Sequence, residues 1–240
     1  MKKLFVAMCL AASAILSGCG TVDPLRIRSQ VGDKGLVVLV RVPNELSLSW
    51  LGTTLLNNES AVHANPDWAI KHWVEERSVA VLRQAGRKAR ALVLQPGAQV
   101  ALAQMIDTTN EVVLVIAPGY GPDKVFNRPP YVSGIGLRQH TWFGMEAASA
   151  TYVQLDARIL NPSHPKEVQI VSSESFQRLP FAALEKGPIL PPRVEGAVRD
   201  AIRAQIDGVV LDLIGRLGLF EGPIDSTSPR LPSVETGPRG

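Results

Sequence analysis

Histidine and serine side chains could perform catalysis, but their spacing in this sequence matches no catalytic motif. The four histidines are His63, His72, His140 and His164, and no HExxH pair occurs among them. Ser133 stands in Ser-Gly-Ile-Gly, which is not the GxSxG turn of serine hydrolases. No Walker or GxGxxG phosphate loop is present either. We therefore predict no catalytic residue, no metal site and no cofactor.

Two groupings keep an enzyme open as an alternative. Asp156 and Glu167 could approach each other across the hairpin formed by the strands predicted at 148–160 and 168–176, where paired carboxylates could do acid–base work. His140 could also meet Asp156 in a deep pocket once the chain folds. Either grouping would give a hydrolase whose site is assembled from residues that are distant in the sequence.

One proline-rich segment holds the aromatic residues that are best suited to binding. Residues 118–130 are rich in glycine and proline, which predicts a long loop. A loop of this kind cannot bury all of its side chains. We therefore predict that Tyr120, Phe126 and the nearby Tyr131 bind a partner.

The first residues have the layout of an export signal. Lys2 and Lys3 precede an apolar run over residues 4–16, which is shorter than the roughly 20 residues that span a bilayer. The segment Leu16-Ser17-Gly18-Cys19 resembles the bacterial lipobox. The resemblance implies that residues 1–18 are a signal peptide, that Cys19 carries a diacylglyceryl thioether, and that a fatty acid such as palmitate acylates its new amino group.

The residue after the cysteine bears on location. In lipoproteins of this kind, aspartate at that place tends to cause retention in the inner membrane, and here it is Gly20. The resemblance therefore implies an outer-membrane, periplasm-facing protein, with the inner membrane left open. Because Cys9 leaves with the signal and Cys19 is lipidated, the mature chain is expected to hold no free thiol and no disulfide.

The charge of the chain argues against nucleic-acid binding. There are 25 lysines and arginines against 22 aspartates and glutamates, and two of the lysines leave with the signal. The short basic cluster at residues 83–90 is predicted to be the solvated end of a helix. We expect the partners to be a membrane, through the lipid, and a protein or cell-envelope component.

Apolar patterns predict one α/β domain over residues 35–221. Strands are predicted at 35–42, 46–51, 91–95, 111–117, 132–142, 148–160 and 168–176. Helices are predicted from Asn65-Pro66-Asp67 to Gly86, over 98–108, and from Pro191 through an apolar stripe to Leu217. The order β-α-β-α-β, followed by antiparallel strands and a long C-terminal helix, indicates a mixed sheet with helices on its faces.

Three further expectations complete the organisation of the chain. In the strand at 148–160, alternation predicts that Val153, Leu155, Ala157 and Ile159 are buried, whereas Tyr152, Gln154, Asp156 and Arg158 face water. Residues 19–34 lack an apolar period and are predicted to be a lipidated tether. Residues 222–240 are polar and proline-rich, which predicts disorder.

The core segments also resemble a known group. GLVVLVRV, EVVLVIAPG and YVQLDARILNPSHPKEVQIVSS are similar to strands of periplasmic lipoproteins of the curli-secretion and penicillin-binding-protein-activator type. The resemblance implies an α/β domain without a nucleotide and a role in binding or assembly at the cell envelope. A cell-envelope hydrolase and a secretion or pore component stay open as alternatives.

Overall fold

The protein is a mixed α/β structure in which helices cover a mixed parallel and antiparallel sheet. A computed structural model describes residues 22–53, 58–92, 102–126, 131–141, 147–161, 168–185 and 187–220. The predicted fold class, including the long C-terminal helix, is confirmed. The predicted signal peptide, the predicted lipidation site Cys19 and the predicted disordered tail at 222–240 lie outside the described residues.

The described helices and strands have the following bounds. The helices are α1 (Pro24–Val31), α2 (Ile70–Gln84), α3 (Leu102–Met105) and α4 (Pro192–Arg216). The strands are β1 (Gly35–Val40), β2 (Glu45–Leu51), β3 (Glu59–Ala64), β4 (Ala89–Ala91), β5 (Glu111–Pro118), β6 (Tyr120–Pro122), β7 (Tyr131–His140), β8 (Ala148–Leu160) and β9 (Ile170–Leu179).

Strand β8 organises the sheet. It pairs with β9 over residues 149–158, with β7 over 148–154 and with β5 over 155–160, all antiparallel. Because β7 and β5 use successive, non-overlapping parts of β8, both lie along the edge that β9 leaves free. Strand β5 continues in parallel pairing to β1 and β4, and β7 pairs in parallel with β2, which pairs with β3.

The larger core lies between the sheet and the helices α1, α2 and α4. The predicted stripe of α4 is buried there, with Val198, Ile202, Ile206, Val209, Leu213 and Leu217 at 2% exposure or less. A smaller core covers the other face of β1 and β5, around Val37, Leu39, Val113 and Val115. Burial on both faces explains why these two strands are continuous apolar runs rather than alternating ones. No helix within the described ranges is both long and apolar enough to cross a membrane.

The prediction of a tether over residues 19–34 is wrong for its described part. Asp23 caps α1 by accepting hydrogen bonds from the backbone N–H groups of Leu25 and Arg26. Ile27 and Val31 are one helical turn apart and are both buried in the main core. A helix of eight residues with only two inward apolar side chains is too short to show a helical period in the sequence.

The boundaries of three other elements differ from the prediction. In place of the start of the strand predicted at 91–95, β4 lies at 89–91 because it pairs with Leu36–Val38 of β1, and 93–95 lie outside the described residues. Helix α3 covers only residues 102–105 of the helix predicted at 98–108, and 98–101 lie outside the described residues. Strand β3 was not predicted, because its side chains are all half-buried or exposed and so show no apolar alternation.

Candidate functional site

A short hairpin, rather than a loop, carries the predicted partner-binding residues. Strand β6 pairs antiparallel with the start of β7, so that Tyr120 lies opposite Ser133 and Pro122 opposite Tyr131. The hydroxyl of Ser133 also donates a hydrogen bond to the carbonyl of Gly119. The loop prediction for residues 118–130 is therefore wrong at Pro118, which ends β5 and pairs with β8, and at 120–122, which pair with the start of β7 as an edge strand. Residues 127–130 lie outside the described residues.

The two tyrosines of this hairpin form an exposed stacked pair, which we call the tyrosine pair. The ring centroids of Tyr120 and Tyr131 are 5.2 Å apart and the ring planes differ by 11°. Their exposed fractions are 69% and 51%, among the largest for apolar side chains of the described residues. Large aromatic side chains that remain exposed and already ordered are typical of contact surfaces.

Phe126, the third predicted residue, has a different environment. It is half-buried, and its ring packs edge-on against His140, with centroids 5.7 Å apart. The backbone N–H groups of Val125 and Phe126 donate to a carboxylate oxygen of Asp123, at 2.8 and 3.2 Å. Phe126 therefore helps to hold the turn after β6 on the sheet and is not part of the exposed tyrosine pair.

A buried ion pair fastens this turn to the sheet. Asp123 is 3% exposed and Arg138 of β7 is 2% exposed, and the guanidinium of Arg138 donates to the Asp123 carboxylate. Desolvation by burial lowers the pKa of Arg138, and Asp123 opposes this shift. At the rim, Lys124 forms a second ion pair with Glu174 of β9. The turn after β6 is thus attached to both β7 and β9.

Glycines allow the hairpin to approach β8 closely. A Cβ on Gly121 would collide with the amide of Gln154, and a Cβ on Gly136 would collide with the Tyr152 hydroxyl and the backbone carbonyl of Ser47. The predicted wet face of β8 is therefore wrong at its centre, where Tyr152 and Gln154 are 3% and 4% exposed. Burial raises the pKa of the Tyr152 hydroxyl, and a hydrogen bond with Ser47 opposes part of this shift.

The structure does not bring together His140 and Asp156, the grouping that would favour the alternative of a hydrolase. His140 pairs with Ala148 of β8, and Asp156 follows eight residues later on that strand. At 3.3 Å per residue, these positions are about 26 Å apart. Glu167, the other proposed partner of Asp156, lies outside the described residues.

The histidines are likewise distributed over the molecule. His63 packs beside Trp68, with centroids 6.1 Å apart, and the exposed His72 lies 3.1 Å from the carboxylate of Glu76. His164 lies outside the described residues. Within the part of the chain that the structure describes, no three His, Cys, Asp or Glu side chains are grouped so that they could hold a metal ion.

The sequence predicts the tyrosines as binding residues, which stays a prediction, but it does not predict the ion pair of Asp123 and Arg138 in the same hairpin. A signal was present: Arg138 is the one arginine or lysine in the strand from Tyr131 to His140, which contains no acidic residue. A charge in a buried strand requires a partner. Gly-Pro-Asp at residues 121–123 is also typical of a turn in which aspartate accepts backbone hydrogen bonds.

The fold and the hairpin define an α/β protein with an ordered, exposed aromatic surface. No known family matches the sequence, and no curated protein matches it. Solved structures do match. A Xanthomonas campestris protein of the DUF330 family is 14% identical, over 76% of this chain and 81% of that one, with a TM-score of 0.38.

Two other solved structures have comparable similarity. A PelC dodecamer from Paraburkholderia phytofirmans is 12% identical over 78% of this chain and 90% of that chain, with a TM-score of 0.36. A putative neuraminyllactose-binding hemagglutinin homologue from Helicobacter pylori is 8% identical over 77% and 86%, with a TM-score of 0.38. At this level of similarity, none of these proteins assigns a function to this chain.

Proposed function

We propose that this protein is a lipid-anchored cell-envelope module that binds a protein or envelope partner through the tyrosine pair. The observation that carries the proposal is the stacking of Tyr120 on Tyr131 at 69% and 51% exposure, on a hairpin fastened by a buried ion pair. Rigid aromatic side chains lose little conformational entropy when a partner covers them. They therefore give more binding free energy than the same side chains on a mobile loop.

The anchoring part of the proposal rests on the lipobox-like segment that ends at Cys19. Acyl chains contribute about 0.8 kcal/mol for each buried methylene, so several chains hold a protein firmly on a membrane. Metabolic labelling with a fatty acid tests this part. The wild-type protein is expected to be labelled and the Cys19→Ala variant is expected to be unlabelled, whereas equal labelling of both would reject lipidation at this residue.

The binding part is tested by site-specific photo-crosslinking in intact envelopes. A photoreactive amino acid at position 120 or 131 is expected to give a discrete adduct. The matched control is position 62, because Val62 on β3 is also highly exposed, at 64%, and lies on another strand of the sheet. Adducts from position 62 and none from 120 or 131 would move the binding surface away from the hairpin.

A further inference from the structure

Three segments meet at the end of the domain where the chain enters the fold. They are residues 23–34, 83–90 and 107–111, which we call the basic end. The guanidinium of Arg87 donates to the carbonyl of Gly32 at 2.7 Å. The backbone N–H groups of Gly35 and Leu36 donate to the carbonyls of Asn110 and Lys88, both at 2.8 Å. These hydrogen bonds hold the three segments together as one surface.

The basic end carries an excess of positive charge. It contains seven lysines and arginines against four aspartates and glutamates, an excess of three that equals the formal net charge of the whole chain. Arg90 is neutralised by Glu111 at 2.8 Å. In contrast, Lys34 and Lys88 form no ion pair with any residue that the structure describes. Both line a groove of about 750 Å³ at this end, whose lining also includes Arg90 and the carboxylates of Asp33, Asp107 and Glu111. These two ammonium groups are available to an anionic partner.

Helix α1 adds an apolar side chain to this surface. Leu25, in its first turn, is 71% exposed. The structure describes the chain from Val22, and Cys19 is three residues earlier. Three extended residues span at most about 11 Å. A lipid on Cys19 would therefore hold Val22, two residues before α1, within about one Debye length of the headgroups, where basic side chains are attracted to anionic lipids.

We propose that the basic end docks on an anionic bilayer surface, with Lys34 and Lys88 at the headgroup phosphates and Leu25 at the interface. This inference builds on the lipid anchor of the proposed function. It also sets the orientation of the domain. Strand β5 starts at Glu111 in the basic end, and Tyr120 is nine residues further along the chain. At about 3.3 Å per residue, the tyrosine pair lies up to about 30 Å from the start of β5 and so away from the docked end.

The test uses a protein without lipid, so that its result does not depend on the anchor. A chain of residues 20–240 contains every described residue, and its binding to sedimented vesicles is measured at low salt. The vesicles contain equal parts of phosphatidylglycerol and phosphatidylcholine, or phosphatidylcholine alone. Binding is expected to phosphatidylglycerol vesicles only and to weaken as salt is added. Lys34→Glu with Lys88→Glu is expected to lower the partition coefficient at least tenfold, because each basic residue contributes about fivefold.

The matched control is Arg178→Glu with Arg199→Glu, which changes the net charge by the same amount at two exposed positions outside the basic end. The control is expected to lower the partition coefficient by less than about threefold. Leu25→Ser, at an exposed position where folding is insensitive to the change, is expected to weaken binding further. The proposal would be overturned if both charge variants lost the same factor in partition coefficient, or if the unmodified chain did not bind phosphatidylglycerol vesicles. Either result would leave the lipid anchor untouched, because fatty-acid labelling of Cys19 tests the anchor separately.

Discussion

Tyr120 and Tyr131 stack diagonally across β6 and β7 rather than directly opposite each other. Tyr120 pairs with Ser133, and Tyr131 pairs with Pro122, yet the two rings are 5.2 Å apart. Diagonal neighbours on one face of an antiparallel pair are within reach when the side chains are aromatic. The position of each ring is therefore set by the strand register. This arrangement separates the tyrosine pair from the turn that follows β6.

The buried ion pair beneath the hairpin gives the first prediction. Asp123→Ala would leave the Arg138 guanidinium buried at 2% exposure without its carboxylate. Removal of one partner from a buried pair costs about 3–5 kcal/mol. We expect a loss of this size in the free energy of unfolding, measured by denaturant titration.

The control for this prediction removes both charges. Asp123→Leu with Arg138→Met is expected to recover most of the lost stability, since a buried pair replaced by apolar side chains is often neutral. If Asp123→Ala unfolds with the wild-type midpoint and slope, the ion pair does not fasten the hairpin.

Two glycine substitutions are expected to have opposite effects. In Gly136→Ala the new methyl would collide with the backbone carbonyl of Ser47, which cannot rotate away, and with the Tyr152 hydroxyl. We expect a destabilisation of about 1–3 kcal/mol. Gly208 lies in the interior of α4 with no atom within 4 Å of the added Cβ, so Gly208→Ala is expected to stabilise the protein by up to about 1 kcal/mol. If the thermal unfolding midpoints of both variants shift in the same direction, this result would contradict the close approach of β7 to β2.

A pH-dependent contribution to stability is expected at the start of β5. Hydrogen bonds from Arg90 lower the pKa of Glu111 below its ordinary value of 4.5. The stabilisation is therefore complete above pH 4.5 and is lost as the pH falls through the lowered pKa. Because the pair is partly exposed, it contributes at most about 1 kcal/mol. In Glu111→Gln, the free energy of unfolding is expected to fall less steeply as the pH is lowered. The same slope of unfolding free energy against pH in variant and wild type between about pH 5 and 3 would contradict this.

The sequence predicts the parts of the fold in which one physical signal is strong. Continuous apolar runs locate β1 and β5, and the three- and four-residue spacing of Ile202, Ile206 and Val209 locates α4. Helix α1 and strand β3 could not be predicted in this way. The first is too short to show a period, and the second is stabilised by pairing with β2 rather than by burial of its side chains.

The candidate site is predictable in composition but not in arrangement. Composition shows that Tyr120 and Tyr131 lie near proline and glycine, yet their stacking depends on the register between β6 and β7. Likewise, burial of Tyr152 and Gln154 depends on glycines of β6 and β7 that are distant in the sequence. Periodicity within one strand cannot report what covers that strand.

We propose that the tyrosine pair binds the partner. The most direct test compares the amount of cross-linked adduct that the full-length protein forms with the amount that the Tyr120→Ala, Tyr131→Ala double variant forms. Two aromatic anchors at the centre of an interface contribute at least about 2 kcal/mol, which corresponds to about thirtyfold in affinity. We predict unchanged thermal unfolding and export, with adducts reduced at least about tenfold. The control Val62→Ala should give the wild-type pattern. Wild-type adducts from the correctly folded double variant would contradict the account.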